Sequence, residues 1–172
     1  LGYINGGGLC LRWIRDVLAG GDPSVTYDAL AAEAETLPPG SEKLMFVPHF
    51  AGRVCPNNPD VRGSFNGLTL SHGRGHMYRA VMESIGYEYA LYRAILAEST
   101  GCDIDSVYVI GGGSKSGLFN RIKADILGVR YAALDTADTA PLAAALIAGH
   151  GVGLFPDLAA AASRAVRVTS RV

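Results

Sequence analysis

The sequence predicts an α/β fold, and three features of its residue pattern carry that prediction. In the second half of the chain, short apolar runs rich in β-branched residues alternate with segments whose apolar residues recur at helical spacing. A single helical stripe extends from Ser71 to about Glu98, and at about 1.5 Å per residue this helix would be roughly 40 Å long. Three glycines, residues 111–113, separate a strand pattern from a helix pattern. This order predicts helices packed against a sheet.

The N-terminal segment predicts a first helix, entered through Gly6, Gly7 and Gly8 and closed by Gly20 and Gly21 as a C-cap would close it. One face of this helix is expected to join the core, Trp13 included, since Trp13 shares that face with its neighbours one turn away. The residues assigned to this face are Leu9, Trp13, Ile14, Val17 and Leu18.

Three further elements are predicted before the long helix. A short helix lies between Pro23 and the pair Pro38 and Pro39, with Ser24 or Thr26 as its N-cap. The apolar segment KLMFVPHF predicts a strand. The stretch AGRVCPNNPDVRGSFNGL contains prolines and glycines among polar residues and predicts a long loop. Ser71 is expected to cap the long helix, which should be the central packing element and carry the stripe Met77, Val81, Ile85, Tyr89, Tyr92 and Leu96.

The C-terminal half predicts a regular alternation of strands and helices. The expected elements are a strand at 107–110, a glycine turn, a helix at 116–127, a strand at 131–134, a helix from Ala137 to about Gly149, a short helix at 158–165 and a final extended segment.

The composition limits the classes of protein to which this chain can belong. The chain has 172 residues, 49% hydrophobic and 18% charged, which suits one domain with a core. Fifteen basic and sixteen acidic residues leave a net charge of −1 without a basic run, so nucleic acid is not an expected partner. No apolar run reaches the roughly 18 to 20 residues that span a bilayer, so no membrane is expected either. Cys10, Cys55 and Cys102 are odd in number and far apart, which fits a cytoplasmic protein.

The glycine turn in VYVIGGGSKSGLFNRIKADILG has three interpretations. A strand, a glycine turn and a helix N-terminus favour a phosphate or nucleotide. A Rossmann dinucleotide site would use Gly111 and Gly113, with Asp135 on the ribose, but Ser116 stands where the third glycine belongs. A GxxxxGK[ST] phosphate loop is rejected, because the glycine spacing around Lys115 is wrong. The third interpretation is a tight turn that binds nothing.

Four stretches, in order along the chain, resemble the FGGY carbohydrate kinases, the family of glycerol kinase and xylulokinase. They are GGGLCLRWIRD, the run from FVPHFAGRVCP to RAVMESIGYEYALYR, the glycine-turn segment itself, and DTAPLAAALIAGHGVGLF. The resemblance covers nearly the whole chain and is closest to the xylulokinase branch.

The resemblance implies an actin-like, ribonuclease-H-like lobe with a mixed sheet flanked by helices. Residues 1–172 would form the C-terminal nucleotide-binding lobe of a two-lobe kinase, cut free of its sugar-binding lobe. Gly112 and Gly113 would lie against the adenosine of ATP, Ser116 would face the base or ribose, and Gly8 with Arg12 would line the other side. The general-base Asp would belong to the missing lobe, so no catalytic residue and no metal ligand is assigned here.

The implied reaction is transfer of the ATP γ-phosphate, with Mg²⁺, to a hydroxyl of a sugar or polyol such as the pentulose xylulose. The lobe alone is expected to be inactive, and its uncovered apolar surface is expected to favour a homo-oligomer. The chain departs from the commoner family pattern at Arg53 and Val54, which replace an acidic and basic pair, and at Ala143, which replaces a glycine. The alternatives are a Rossmann NAD-binding domain and a non-catalytic actin-like interaction module.

Five other polar residues are candidates for a functional role. His72 and His76 are four apart, as metal ligands on a helix are, but no third ligand follows the pattern, and a polar first helical turn is expected instead. Arg53 and Arg62 flank the proline-rich loop and would either contact a phosphate or the other lobe, or be solvated. Asp125 is expected to make only local hydrogen bonds.

Overall fold

The computed structural model describes residues 4, 6–136 and 138–172. These residues form two compact units. The first comprises the described residues as far as Asp103 together with Asp125–Leu127, and the second comprises Ile104–Ala124 and Gly128–Val172. None of the helices in the described ranges is long and apolar enough to cross a membrane. The assignment of residues 1–172 to a single kinase lobe stays a prediction.

The first unit is built around one long helix. Two shorter helices and a two-stranded antiparallel sheet pack against it. Its elements are α1 (Gly7–Ala19), α2 (Tyr27–Glu35), a 3₁₀ turn (Ser41–Lys43), β1 (Met45–Val47), β2 (Ser64–Asn66) and α3 (Arg74–Thr100).

Helix α3 is the core of this unit, as the sequence predicts. Every residue from 78 to 86 is buried, because α1, α2 and β1 surround this part of the helix. Small residues permit the close packing: a Cβ added at Gly86 would lie 2.7 Å from Cδ1 of Ile126. The predicted stripe is right for Val81 and Ile85, whereas Tyr89 and Leu96 are exposed.

The start of α3 differs from the prediction. The N-cap is Gly73, whose N–H donates to Nδ1 of His76 at 3.0 Å. Ser71 is not the cap, because its hydroxyl pairs with the hydroxyl of Thr69 at 2.8 Å in the preceding turn. The ring of His76, three residues into the helix, therefore stabilises the helix start by accepting from the N–H of the N-cap residue, the contact that an N3 side chain makes in a capping box.

Helix α1 has the predicted bounds but buries a different face. Gly20 adopts the left-handed conformation (φ 55°) and its N–H donates to the carbonyl of Asp16. The predicted core positions Leu9 and Val17 are 61% and 53% exposed. The buried residues are Cys10, Leu11 and Ile14. Apolar residues occur on most sides of this helix, so spacing alone does not decide which side packs.

Trp13 is also more exposed than predicted. Its side chain is 38% exposed and lies against two phenylalanines of the segment that follows α2, with ring centroids 6.2 Å from Phe46 and 4.7 Å from Phe50. Trp13 therefore packs at the margin of the first unit instead of inside it.

The elements between α1 and α3 are largely as predicted. Thr26 caps α2, and its hydroxyl accepts from the N–H of Ala29 at 3.1 Å. The predicted strand forms as β1. The proline-rich loop, however, contains β2, which was not predicted; it pairs Phe65 with Phe46, and their ring centroids lie 4.7 Å apart. Three residues are too few to produce a periodic signal among turn residues.

The turn before β1 is strained. Ser41, Glu42 and Lys43 all have positive φ values, 45°, 52° and 73°, in a region that residues with a side chain rarely adopt. The segment is held by the Ser41 hydroxyl, which donates to the carbonyl of His76 at 2.7 Å, and by His72, whose Nε2 contacts the carbonyl of Glu42 at 3.3 Å. Gly67 approaches so closely that a Cβ there would lie 2.7 Å from the Lys43 carbonyl oxygen.

The second unit contains a three-stranded mixed sheet. Strands β3 and β4 are parallel, and β4 and β5 are antiparallel. All of its elements were predicted within a few residues, although Ala137, the predicted start of one helix, lies outside the described residues. The elements are β3 (Ser106–Val109), a 3₁₀ turn (Gly112–Lys115), α4 (Gly117–Leu127, whose last turn belongs to the first unit), β4 (Arg130–Leu134), α5 (Thr139–Gly151), α6 (Leu158–Ala165) and β5 (Val168–Arg171).

Candidate functional site

The glycine turn between β3 and α4 is closed by its own hydrogen bonds. Gly111 has a φ of 83°, which favours glycine. The Ser114 hydroxyl donates to the Gly111 carbonyl at 2.7 Å, and the Asn120 side chain donates to the Ser114 carbonyl at 2.8 Å. Because Asn120 lies on α4, the turn is anchored to the helix that follows it.

The two glycines predicted to contact adenosine are exposed, and they differ in how closely other atoms of the protein approach them. A Cβ added at Gly113 would lie 3.4 Å from the ring of Phe119, whereas one added at Gly112 would meet no atom within 4 Å. Gly112 also lacks the positive φ that would require glycine. The fold thus has no steric need for glycine at position 112. An external molecule that lies on the backbone there would require a residue without a side chain.

Ser116 is the N-cap of α4. Its Oγ accepts from the N–H of Phe119 at 3.3 Å, which leaves the hydroxyl proton able to donate to another group. The remaining N–H groups of the first helical turn and the helix dipole favour a polar or anionic group at this end. The turn therefore offers an open backbone surface next to a hydroxyl donor.

Lys123 lies on α4 behind the turn and was not singled out from the sequence. It is 5% exposed, and its Nζ lies 4.0 Å from the ring centroid of Phe119 and 5.3 Å from that of Tyr131. Burial lowers the pKa of Lys123 from 10.5 to about 8. A lysine in the pattern RIKADILG resembles any exposed helical lysine, and only the two aromatic neighbours distinguish it.

Gly8 and Arg12 belong to the first unit. They lie four residues apart on α1, hence on one face of the helix, and both are exposed. A Cβ at Gly8 would meet nothing within 4 Å. The five predicted residues therefore form two local groups, one on α1 and one at the glycine turn, and each group is open to solvent.

The arginines of the proline-rich loop are engaged locally. Arg53 donates from Nη2 to Oε1 of Glu88 at 2.8 Å, and Nε2 of His49 lies 3.2 Å from the same oxygen. Arg62 donates to the carbonyls of Pro59 and Val61. Their interactions in this structure hold the loop in place rather than leaving both arginines solvated.

Asp135 is likewise occupied by the protein itself. Its carboxylate accepts from the N–H of Arg167 at 3.2 Å, and its own N–H donates to the Arg167 carbonyl at 2.9 Å. It joins the end of β4 to the start of β5, whereas the Rossmann interpretation placed it on a ribose. Asp125 is exposed on α4.

The two histidines of HGRGH accept backbone hydrogen bonds through their Nδ1 atoms, from Thr69 for His72 and from Gly73 for His76. In the ranges 6–136 and 138–172, no three His, Cys, Asp or Glu side chains are grouped so that they could hold a metal ion.

A comparison of the sequence with protein families decides between the interpretations. The model of the "FGGY family of carbohydrate kinases, C-terminal domain" matches residues 2–152. This chain belongs to the FGGY family. The resemblance seen in the four sequence stretches is confirmed, and the Rossmann alternative is wrong.

Curated relatives of this FGGY domain are sugar and polyol kinases. The gluconokinase of Bacillus subtilis is 35% identical over 162 residues, which cover 88% of this chain and 31% of that protein. The xylulose kinase of Bacillus subtilis is 30% identical, with coverage of 97% and 33%. The chain thus spans about a third of the length of these relatives.

Solved structures show the same fold. The xylulose kinase from Rhodospirillum rubrum superposes with a TM-score of 0.81 at 26% identity, covering 96% of this chain and 33% of that one. The gluconate kinase from Lactobacillus acidophilus gives 0.79 at 29% identity, with coverage of 97% and 33%. The FGGY domain therefore has the predicted α/β, actin-like ATPase fold.

Proposed function

We propose that this chain is the nucleotide-binding C-terminal lobe of a two-lobe, cytoplasmic sugar kinase. In the whole protein, this lobe would hold ATP while the γ-phosphate passes to a hydroxyl of a sugar or polyol. Three observations support the proposal: the membership of the FGGY family, the match to about a third of each full kinase, and the open backbone at Gly112.

The open backbone at Gly112 is the main support for this proposal. The adenosine would lie on the exposed backbone of Gly112 and Gly113, and the Ser116 hydroxyl would donate to the base or ribose. The residues of the first unit that we propose to contact the nucleotide are Gly8 and Arg12, both exposed on α1. Each of these roles is binding and orientation, and phosphoryl transfer depends heavily on how the nucleotide is positioned.

The described residues suit the nucleotide better than they suit its metal ion. Since no group of three possible metal ligands occurs among them, Mg²⁺ would arrive bound to the phosphates of ATP. When bound there, it would neutralise charge on the transferred phosphoryl group. The general base would be an Asp of the N-terminal sugar-binding lobe, so this lobe alone would be inactive.

The acceptor is proposed to be a pentulose such as xylulose. The relatives named gluconokinase, xylulose kinase and glycerol kinase share one requirement, a polyhydroxylated acceptor. A full-length kinase containing this lobe would be assayed with ATP and D-xylulose, gluconate and glycerol; the proposal of a pentulose predicts the highest kcat/KM with xylulose. A higher kcat/KM with gluconate or glycerol would contradict the proposal of a pentulose.

The first test is nucleotide binding by the chain itself. The backbone amide signals of Gly112, Gly113 and Ser116 would be followed by NMR during titration with ADP–Mg²⁺ and, separately, with NAD. Shifts with ADP alone are expected. Shifts with NAD alone, or no shifts with either ligand, would contradict the proposed nucleotide recognition by this lobe. In a separate activity assay, the same chain should not phosphorylate xylulose, gluconate or glycerol with ATP.

A pair of glycine substitutions sharpens the test. Gly112→Ala should lower the ADP affinity at least tenfold while changing the free energy of unfolding by less than about 0.5 kcal/mol, because the added methyl meets only the ligand. Gly151→Ala is the matched control, since a Cβ there also meets nothing within 4 Å. Equal ADP affinities for the two variants would show that the nucleotide does not lie on Gly112.

A further inference from the structure

Lys123 is a buried amine that no step of the proposed phosphoryl transfer uses. It lies on α4, about two helical turns after the glycine turn, and is 5% exposed. Lysine is almost never fully buried in proteins unless it has a partner. Within residues 6–136 and 138–172, neither an ion pair nor a hydrogen bond engages its Nζ. The position of this amine therefore has no explanation in charge pairing.

Two buried aromatic rings surround the amine instead of polar groups. Nζ lies 4.0 Å from the ring centroid of Phe119 and 5.3 Å from that of Tyr131. The face of a ring attracts a cation, but a ring does not replace the hydrogen bonds that an ammonium group makes with water. This environment therefore favours the uncharged form of Lys123.

The uncharged form is the reactive one. Burial lowers the pKa of Lys123 to about 8, whereas an unperturbed lysine, with a pKa of about 10.4, is neutral in less than about 1% of molecules at pH 8. Nζ makes no hydrogen bond and yet is not a fully buried atom, so the tip of the side chain touches solvent. A small electrophile can therefore reach a nitrogen whose lone pair is free.

We propose that Lys123 is a modification site that takes a short acyl group, such as acetyl, from a thioester or an acyl phosphate. The lone pair of Nζ attacks the acyl carbon and forms a C–N bond. The C–S or C–O bond of the donor breaks, and the thiolate or phosphate leaves with its electron pair. Nitrogen loses a proton to solvent, and the product is a neutral amide, without oxidation or reduction.

The surroundings of Lys123 favour this product over a charged one. Acylation removes the positive charge and with it the cost of a buried cation that has no polar partner. Carbon dioxide would instead give a carbamate, whose negative charge would lie near the negative ring faces of Phe119 and Tyr131. Because so little of the residue is exposed, a small donor reaches Nζ more easily than a bulky one.

Phe119 connects Lys123 to the glycine turn. A Cβ added at Gly113 would lie 3.4 Å from Cε1 of this ring, so the same ring lies close to both the amine and the turn. An acyl group on Lys123 is therefore expected to move the backbone amide signal of Gly113. This effect does not depend on whether the lobe binds a nucleotide.

The three lysines of the chain provide the test. Lys43 and Lys115 are exposed and are the internal controls. The folded chain is incubated at pH 8 with the acetyl thioester of N-acetylcysteamine and, separately, with acetyl phosphate, and peptide mass spectrometry gives the acetylation rate at each lysine. With at least one donor, Lys123 should react at least tenfold faster than either control. The faster donor identifies the source of the acyl group.

Concentrated urea tests whether the fold causes this difference, since the three lysines should react within about threefold of one another in the unfolded chain. The Gly113 signal is then followed in Lys115→Arg, because acetylation of Lys115 would itself disturb the turn. It should move on acetylation in this variant and stay unmoved when Lys123→Arg is added.

Three results would each overturn the proposal. The first is a rate at Lys123 less than tenfold above those of Lys43 and Lys115 with both donors. The second is an advantage of Lys123 that persists in urea, and the third is a Gly113 signal that acetylation of Lys123 does not move.

Loss of ADP binding would leave all three measurements unchanged, so the failure of the proposed function and the failure of this proposal are distinguishable.

Discussion

Helix α3 in the first unit contains charged residues, Arg79 and Glu83 among them, whereas helix α5 in the second unit contains no Asp, Glu, Lys or Arg, yet it is α3 that is covered. Residues 78–86 of α3 are buried without interruption, whereas in α5, all of whose residues the structure describes, only Gly149 is buried and Ile147 is 61% exposed. An apolar helix is expected to be buried. The comparison shows that apolar composition determines burial only when other elements of the chain surround the helix, as α1, α2 and β1 surround α3.

The two units also differ in how deeply their ion pairs are buried. In the first, Arg79 and Glu83 form an ion pair with side chains 8% and 5% exposed. In the second, Arg130 and Asp105 form one with side chains 76% and 80% exposed. A buried charge that loses its partner is strongly unfavourable, while an exposed one is simply hydrated.

The largest effect should come from removing one arginine of each pair. Arg79→Met leaves Glu83 buried without its ion-pair partner and should lower the free energy of unfolding by about 4 kcal/mol, whereas Arg130→Met should change it by less than about 1 kcal/mol. Urea denaturation followed by circular dichroism measures both. Similar losses in the two variants would remove the distinction between the units.

The helices themselves can be compared with one substitution in each. Ile85→Ala creates a cavity at a side chain that is 2% exposed and should cost about 3 kcal/mol, while Ile147→Ala should cost less than about 0.5 kcal/mol. The same denaturation measurement applies. A large cost at Ile147 would mean that α5 is covered in solution, for example in a homo-oligomer, and sedimentation at several concentrations would detect that state.

Lys123 is the exception in the second unit, a buried cation. Its pKa falls to about 8 in the folded state from 10.5, so the unfolded chain binds more protons between those pH values and the stability rises as pH increases through them. Lys123→Met should therefore raise the free energy of unfolding by about 1–2 kcal/mol at pH 7, where the penalty is complete, because contacts with Phe119 and Tyr131 offset part of it.

The gain from Lys123→Met should disappear by about pH 11, where Lys123 is neutral in both states. Lys115→Met, at an exposed position of the glycine turn, is the control and should show no such pH dependence. A gain that is the same at pH 7 and at high pH would trace the effect to packing instead of charge.

The smallest effect concerns the strain held in the first unit. Lys43→Gly should raise the free energy of unfolding by about 0.5–1 kcal/mol, since glycine adopts a φ of 73° without a steric penalty. Lys115→Gly, at a position without positive φ, should lower it by a similar amount. A loss at both positions would show that the turn is not strained in solution.

The boundaries of most elements could be predicted, because short-range chemistry sets them. Gly20 ends α1, Thr26 caps α2, Ser116 caps α4, and α6 has the predicted bounds. The cap of α3 could not be predicted, since the N-cap is Gly73, which has no side-chain acceptor, and a histidine ring binds its N–H. The buried face of α1 depends on which neighbours pack against it, and the sequence of α1 contains no such information.

The residues of the candidate site, too, could be predicted from the sequence only in part. Its glycine turn and Ser116 were visible because a strand, a glycine run and a helix start follow one another in the chain. The burial of Glu83, in the first unit, and of Lys123, near the turn, could not be predicted, because an acidic or basic residue in a helix pattern is usually exposed. Their burial arises from groups distant in sequence, Gly40 for the one and Tyr131 for the other.

Trp13 is the one tryptophan of the chain, and its place against Phe46 and Phe50 makes selectively excited tryptophan fluorescence a reporter of the first unit. Far-ultraviolet circular dichroism, in contrast, records helices from both units. If the two signals follow one denaturation curve, the units unfold as a single cooperative block. If the fluorescence changes at a higher urea concentration than the circular dichroism, each unit has a stability of its own, and the sheet that carries the glycine turn can open while α3 remains folded.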